Sequence, residues 1–267
     1  MFINHLTALD CAIYDLTCGL YGMSWHVNVE FLGELDHEGV VFDFSKAKKL
    51  AKTVIDQKFD HRVIQQRQYT PYTSPHKDCV CNIDQVDQGS LEIAIARTIL
   101  SECHANNLKN IIQVIVHLET DNQYDTYFHY LHALPQHDGN CQRLHGHRSA
   151  IRVWADDEPN KDLEKIIKNK YDYKYISQTG DCFSQWSGTQ GDFSLSIPTS
   201  HITEINIPTT IENICIHASN LLYNLKMNKQ IYFHKLRICM FEGVNKGATY
   251  TLNTFNSMEI IPKLLKG

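Results

Sequence analysis

Residues 140–147 read Asn-Cys-Gln-Arg-Leu-His-Gly-His, and apolar residues alternate after them at Ile151 and Val153. The alternation predicts a strand, on which residues two apart share a face. His145 and His147 then present two imidazoles to one metal ion, and Gly146 leaves the opposite face unobstructed. Zinc accepts nitrogen ligands of this kind at about 2.0–2.1 Å. His132, in the run Tyr130–Pro135, lies just upstream, and an antiparallel return brings it alongside the pair. Three histidines leave one coordination position open, which is the ligand count of a catalytic zinc rather than a structural one. Cys141 has two readings here: a fourth ligand that closes the site, or a general base whose thiolate is favoured by the metal and by Arg143.

These residues need elements to hold them. Ala47, Leu50, Ala51, Val54 and Ile55 recur at helical spacing between Ser45 and Lys58, behind Asp43 and Ser45, either of which suits a cap. A second helix is expected from about Leu91 to Glu102, and 111–118, rich in β-branched residues, reads as a strand. The C-terminal half repeats the order. It has a helix carrying Leu163, Ile166 and Ile167, a helix from Thr210 to Lys226 with one continuous apolar face, and a strand from Tyr232 to Met240. Four signatures recur in the same order: Trp25-His26 with Gly146-His147, Phe59-Asp60-His61 with Tyr171-Asp172-Tyr173, Ser90-Leu91-Glu92 with Thr210-Ile211-Glu212, and Leu118-Glu119 with Phe241-Glu242. Nearly constant separations of about 112–123 positions indicate an internal duplication. The boundary is expected near 120–128, giving domains 1–124 and 125–267. Between Ser177 and Pro208 a stretch rich in Ser, Thr, Gly and Gln reads as a long loop, in which Trp186 and Phe193 either cover a ligand or pack on the loop itself.

Composition narrows the setting. With 43% hydrophobic and 21% charged residues over 267 positions, the chain is of ordinary globular type. A net charge of -5 supplies no basic surface for nucleic acid. No run reaches the roughly 18 apolar residues of a membrane span. Nine scattered cysteines and an N-terminus without a signal pattern point to a reducing cytoplasm.

The Cys-x3-His-Gly-His motif at 141–147, with its upstream histidine, resembles the zinc and nucleophile motif of bacterial 6-carboxytetrahydropterin synthase. The eukaryotic 6-pyruvoyl enzymes of the same family carry a longer gap. The run Gly33–Phe44 is similar to the family's strand, turn and helix entry, and taken as two copies the resemblance covers almost the whole chain. It implies an α+β fold of two tandem tunnelling-fold (T-fold) domains, each an antiparallel sheet backed by two helices. Such domains assemble into barrels with active sites at domain interfaces, where a cysteine from one domain meets an Asp-His pair from its neighbour.

Under that resemblance the two halves divide the work. The first half carries Asp10, Ser24 and His26 where the second has His132, His145 and His147, a set too poor to hold zinc. The second carries Tyr173 where the first keeps Asp60-His61. One composite site is implied, with zinc and Cys141 from the second half and Asp60 and His61 from the first. Glu212 and Glu242, with Glu92 and Glu119 in the first half, match the glutamates that hold the pterin edge, and for Glu92 a solvated helix position is an equal alternative. The implied reaction converts 7,8-dihydroneopterin triphosphate to 6-carboxytetrahydropterin, acetaldehyde and triphosphate, on the route to queuosine and other deazapurines, with Arg143 and Arg148 as candidate phosphate contacts. Alternatives are a 6-pyruvoyl-forming or related pterin lyase, a non-catalytic pterin-binding protein, and a structural zinc module. A homo-oligomer is expected, a trimer of tandem pairs or a dimer of such rings.

Overall fold

Two long antiparallel hairpins organise the protein. The computed structural model describes residues 1–68, 79–179, 183–189 and 191–254. In the first half β1 (Phe2–Asp15) and β2 (Gly19–Gly33) form the hairpin, followed by α1 (Phe44–Lys58), β3 (Val63–Gln66), β4 (Val80–Ile83), α2 (Gln88–Ala105) and β5 (Ile111–Glu119). In the second, β6 (Tyr127–His132) and β7 (His145–Ala155) form the hairpin. After it come β8 (Glu158–Pro159), α3 (Lys161–Tyr171), β9 (Lys174–Ser177), β10 (Phe183–Gly188), β11 (Gly191–Ser196), β12 (Ile202–Glu204), α4 (Ile211–Met227), β13 (Lys235–Phe241) and β14 (Gly247–Asn253).

The first sheet has the order β4-β3-β1-β2-β5, and the second β12-β9-β6-β7-β13-β14 with β8 on β7. Each hairpin is antiparallel, and short parallel strands extend one edge: β3 on β1 and β4 on β3 in one half, β9 on β6 and β12 on β9 in the other. Asp43 is the cap of α1, its carboxylate accepting from Lys46 N at 2.9 Å, and Ala47, Ala51, Val54 and Ile55 face the sheet. The second helix begins a turn earlier than Leu91, because Asp87 caps it by accepting from Ser90 N at 2.8 Å. The expected loop 177–208 contains the β10–β11 hairpin and β12 instead. The short alternation Phe193, Leu195 and Ile197 is hidden by the Ser, Thr, Gly and Gln around it. Trp186 pairs with Phe193 across that hairpin, and their side chains lie outside the described residues.

Each half buries its own core between sheet and helices, one around Phe31, Ile55, Ile95 and Ile99, the other around Phe128, Tyr171, Leu222 and Ile238. A third apolar cluster joins the halves: Ala12, Val63 and Cys79 pack with Leu131, Leu144, Tyr175 and Ile197. Close to it the hairpins cross at two glycines. A Cβ on Gly22 would collide with Tyr130 O and His147 N, and one on Gly146 would sit 2.8 Å from the Leu131 side chain and closer still to the Gly22 Cα. Only glycine permits this approach, and it sets the histidine-bearing strands of the second half directly on the first.

Candidate active site

Strand register brings three histidines together. His132, the last residue of β6, pairs with His145, the first of β7, and Tyr130 pairs with His147. All three rings are buried. His132 Nε2 lies 2.9 Å from His145 Nε2 and 3.1 Å from His147 Nε2. The opposite ring nitrogens are already spoken for: His132 Nδ1 donates to Thr209 O at 2.7 Å, and His145 Nδ1 to Arg143 O at 2.9 Å. Burial, first of all, holds both rings well below the usual imidazole range, so they are neutral. A neutral ring that donates through Nδ1 offers only a lone pair at Nε2. Lone pairs converging at about 3 Å repel one another unless a cation lies between them, and ligands at about 2.0–2.1 Å in a tetrahedron stand roughly 3.4 Å apart. The three residues therefore fit a divalent metal of the zinc type, with the outer hydrogen bonds that orient histidine ligands already in place.

The Asp-His pair comes from the other half. Asp60 and His61 follow the C-terminus of α1, where His61 takes a left-handed φ of 54°. Asp10 of β1 fixes this turn through both of its backbone groups: Asp10 N donates to Asp60 Oδ1 at 2.9 Å, and His61 N donates to Asp10 O at 2.8 Å. His61 Nδ1 then lies 2.6 Å from Asp60 Oδ2, and His61 Nε2 lies 3.6 Å from Cys141 Sγ. Burial works against the charged ring, but the Asp60 carboxylate and the Cys141 sulfur outweigh it and raise His61 to about 10. The His61 ring also packs on His145, with centroids 4.3 Å apart. Cys141 sits in a short 3-10 turn, Asn140–Gln142, anchored where Leu134 N donates to Cys141 O at 2.8 Å. Cys141, His61, Asp60 and the three histidines thus form one continuous cluster drawn from both halves of a single chain.

The second half repeats the turn without its chemistry. Tyr173 has φ 56°, His129 N donates to Asp172 Oδ1 at 2.8 Å, and Tyr173 N donates to His129 O at 2.7 Å. His129 therefore stands where Asp10 stands. Strand register then corrects the expected counterparts of the three histidines. Ala12 pairs with Gly22 and Val63 as Leu131 pairs with Gly146 and Tyr175. His132, His145 and His147 consequently correspond to Ile13, Tyr21 and Met23, not to Asp10, Ser24 and His26. The reason is the hairpin: β1 and β2 close in a tight turn after Asp15, whereas β6 and β7 are joined by the longer segment 133–144 that carries Cys141. The first half has neither the ligands nor the cysteine loop.

A family model described as 6-pyruvoyl tetrahydropterin synthase matches the chain twice, over residues 15–129 and 122–253. The chain belongs to this family. A Plasmodium falciparum 6-pyruvoyl tetrahydropterin synthase is similar at 18% identity, covering 48% of this chain and 91% of that one at a TM-score of 0.35. A Plasmodium vivax 6-pyruvoyl tetrahydropterin synthase is similar at 13% identity over 95% of this chain and 96% of that one, at a TM-score of 0.24. No curated protein matches. The doubled family match, with two sheet-and-helix units, makes this a tandem T-fold protein of tetrahydropterin-synthase type.

The family glutamates lie in different settings. Glu242 is half-buried, its Oε2 3.7 Å from Lys246 Nζ, and Lys246 Nζ reaches Asp10 Oδ2 at 3.3 Å, which ties Glu242 to the cluster. Glu212 is exposed in the first turn of α4. Glu92 Oε1 accepts from Leu118 N at 2.8 Å and from Gln88 Nε2 at 3.1 Å, so it bridges α2 to β5 rather than standing in solvent. Glu119 is exposed, with Oε2 3.4 Å from His5 Nε2 and 3.3 Å from Asn28 Nδ2, beside a pocket of about 460 Å³ that His26 and Gln88 also line. Arg143 is buried. Arg148 stacks 3.8 Å above the Tyr127 ring and donates to Asp121 O and Asn122 Oδ1, contacts that hold the linker between the halves.

Sequence reasoning missed Lys246 and misread Asp10. Both oxygens of the buried Asp10 carboxylate are engaged, with Ser24 Oγ donating to Oδ1 at 2.5 Å and Lys246 at Oδ2. Burial works against its charge, but the facing His147 and Lys246 prevail and hold it well below the usual carboxylate range. The only sequence signal was an aspartate interrupting the apolar run Ala8–Ile13.

Proposed function

We propose that the chain is a zinc-dependent 6-carboxytetrahydropterin synthase acting on 7,8-dihydroneopterin triphosphate, with residues 125–267 supplying metal ligands and nucleophile and residues 1–124 supplying the acid-base pair. The observation that carries this reading is the 3.6 Å approach of Cys141 Sγ in one half to His61 Nε2 in the other, beside the three histidines. Zinc held by His132, His145 and His147 supplies Lewis acidity toward the substrate's side-chain hydroxyls. Cys141 accepts a side-chain proton at Sγ, and His61, protonated and held at Nδ1 by Asp60, donates the compensating proton from Nε2. Elimination of triphosphate, followed by carbon-carbon cleavage in which a water supplies the carboxyl oxygen and the aldehyde hydrogen, gives acetaldehyde and 6-carboxytetrahydropterin. Glu242, in this reading, accepts two hydrogen bonds from the amidine-like edge of the pterin. Among the described residues every cysteine is a free thiol, which supports a reducing, cytoplasmic setting. Among them, too, no helix is long and apolar enough to cross a membrane. Assembly into a homo-oligomer is part of the proposal.

The printed family description supports a second product, 6-pyruvoyltetrahydropterin. Incubating the zinc-loaded protein with dihydroneopterin triphosphate separates the two, since acetaldehyde accompanies only the carboxylated pterin. A chelator should abolish turnover while the circular dichroism spectrum is retained. Unfolding on chelation would indicate a structural metal instead. Formation of neither pterin would overturn the synthase reading.

A further inference from the structure

The half that lacks metal ligands still reaches the metal centre. His147 is wholly buried, and its Nδ1 lies 3.1 Å from Asp10 Oδ1, a close polar contact in which the ring N–H is not aligned well enough for a regular hydrogen bond. His132 and His145 orient on backbone carbonyls of their own half, while His147 faces a carboxylate of the other. Asp10 is itself built into place. Ser24 Oγ donates to the oxygen that faces His147, Lys246 Nζ stands 3.3 Å from the other oxygen, and Gly243 at φ 68° leaves the space a side chain would fill, its Cβ position lying 2.8 Å from Ser24 Oγ. The backbone of the same residue bonds Asp60 through its amide and His61 through its carbonyl.

We propose that Asp10 is a positioning residue of the composite site: its carboxylate orients His147 for the metal, while its backbone holds the Asp60–His61 turn, so that one residue of the first half sets both parts of the site. The inference rests on the reading of His132, His145 and His147 as metal ligands. Carboxylate partners of ligating histidines fix ring orientation and raise ligand basicity, and their loss weakens metal binding by about 10–100-fold. Asp10 would do this across a domain boundary, from a half with no metal ligands of its own.

The test uses the full chain and metal alone. Zinc affinity is measured by competition with a chromophoric chelator, and the visible spectrum of the cobalt-substituted protein reports ligand geometry, for wild type, Asp10→Asn, Ser24→Ala and His132→Ala. Asp10→Asn keeps the backbone bonds and the side-chain shape, so it is expected to remain folded by circular dichroism. It should bind zinc about 10–100-fold more weakly with a changed cobalt spectrum. Ser24→Ala, which leaves the carboxylate but removes the hydroxyl that steers it, should give a smaller loss in the same direction. If Asp10→Asn is poorly folded, Ser24→Ala decides: wild-type affinity and an unchanged spectrum would overturn the proposal. If both variants match wild type while His132→Ala loses the metal, the positioning role fails and the metal centre stands. If wild type binds no stoichiometric zinc, the metal centre itself fails, and the role of Asp10 with it.

Discussion

Replacing Cys141 or His61 by alanine is expected to lower kcat by about 10²–10⁴-fold, with substrate binding much less affected, because each removes one end of a proton-transfer pair. The geometry states why both should matter alike. Sγ and Nε2 face each other at 3.6 Å, and Asp60 at 2.6 Å commits the other ring nitrogen, leaving Nε2 as the one place where the imidazole can exchange a proton with the thiol. Residues that act as a unit are not additive, so the double variant should be scarcely worse than either single one. Steady-state turnover of dihydroneopterin triphosphate, with tight-binding pterin analogues used to measure affinity, checks this. A His61→Ala variant with near-wild-type kcat would remove the first half from the chemistry.

Placing a methyl group at the hairpin crossing should be as damaging to the fold as those changes are to catalysis. The atoms that an alanine at position 22 would meet are the Tyr130 carbonyl and the His147 amide, and both are backbone, so no side chain can rotate away. Gly22→Ala and Gly146→Ala are each expected to cost about 3 kcal/mol or more, the upper end of overpacking penalties. Since His147 is one of the atoms struck, zinc affinity should fall along with the melting temperature. Gly39→Ala is the control: its added Cβ would meet nothing within 4 Å, and only its left-handed φ of 79° opposes the change, a cost of about 1–2 kcal/mol. Equal melting temperatures for Gly22→Ala and Gly39→Ala would show that the hairpins do not cross so closely.

The contrast between these two sites explains what could be read from the sequence. The Cys-x3-His-Gly-His run and the Asp60-His61 pair advertise themselves, since imidazoles at strand spacing and an acid beside a histidine are local patterns. The repeated halves and their helices were legible for the same reason, through repeated apolar periods and the capping residue Asp43, whereas the cap at Asp87 went unread. Strand register was not. Pairing Asp10, Ser24 and His26 with the metal ligands assumed hairpins of equal length, but β1 and β2 turn tightly at Asp15 and Gly19 while β6 and β7 are separated by the loop that holds Cys141. A change of length in a hairpin loop moves every later residue to a different partner, and no local pattern records it. Asp10, dismissed as a decayed ligand, instead lies against His147 for a reason that only the crossing of the hairpins supplies. Lys246 was invisible because a lysine next to a glycine after a strand has the look of an ordinary surface turn.

The central claim is that one chain completes its own site from two unequal halves, and mixing two dead variants tests it most directly. Chains carrying Cys141→Ala and His61→Ala, given different tags, are co-expressed and purified through both tags in turn, and also mixed after separate purification. A site formed within the chain predicts that every preparation stays inactive, because no chain holds both Cys141 and His61. Recovery of a substantial fraction of wild-type turnover would show that the pair meets between chains, and would contradict the account.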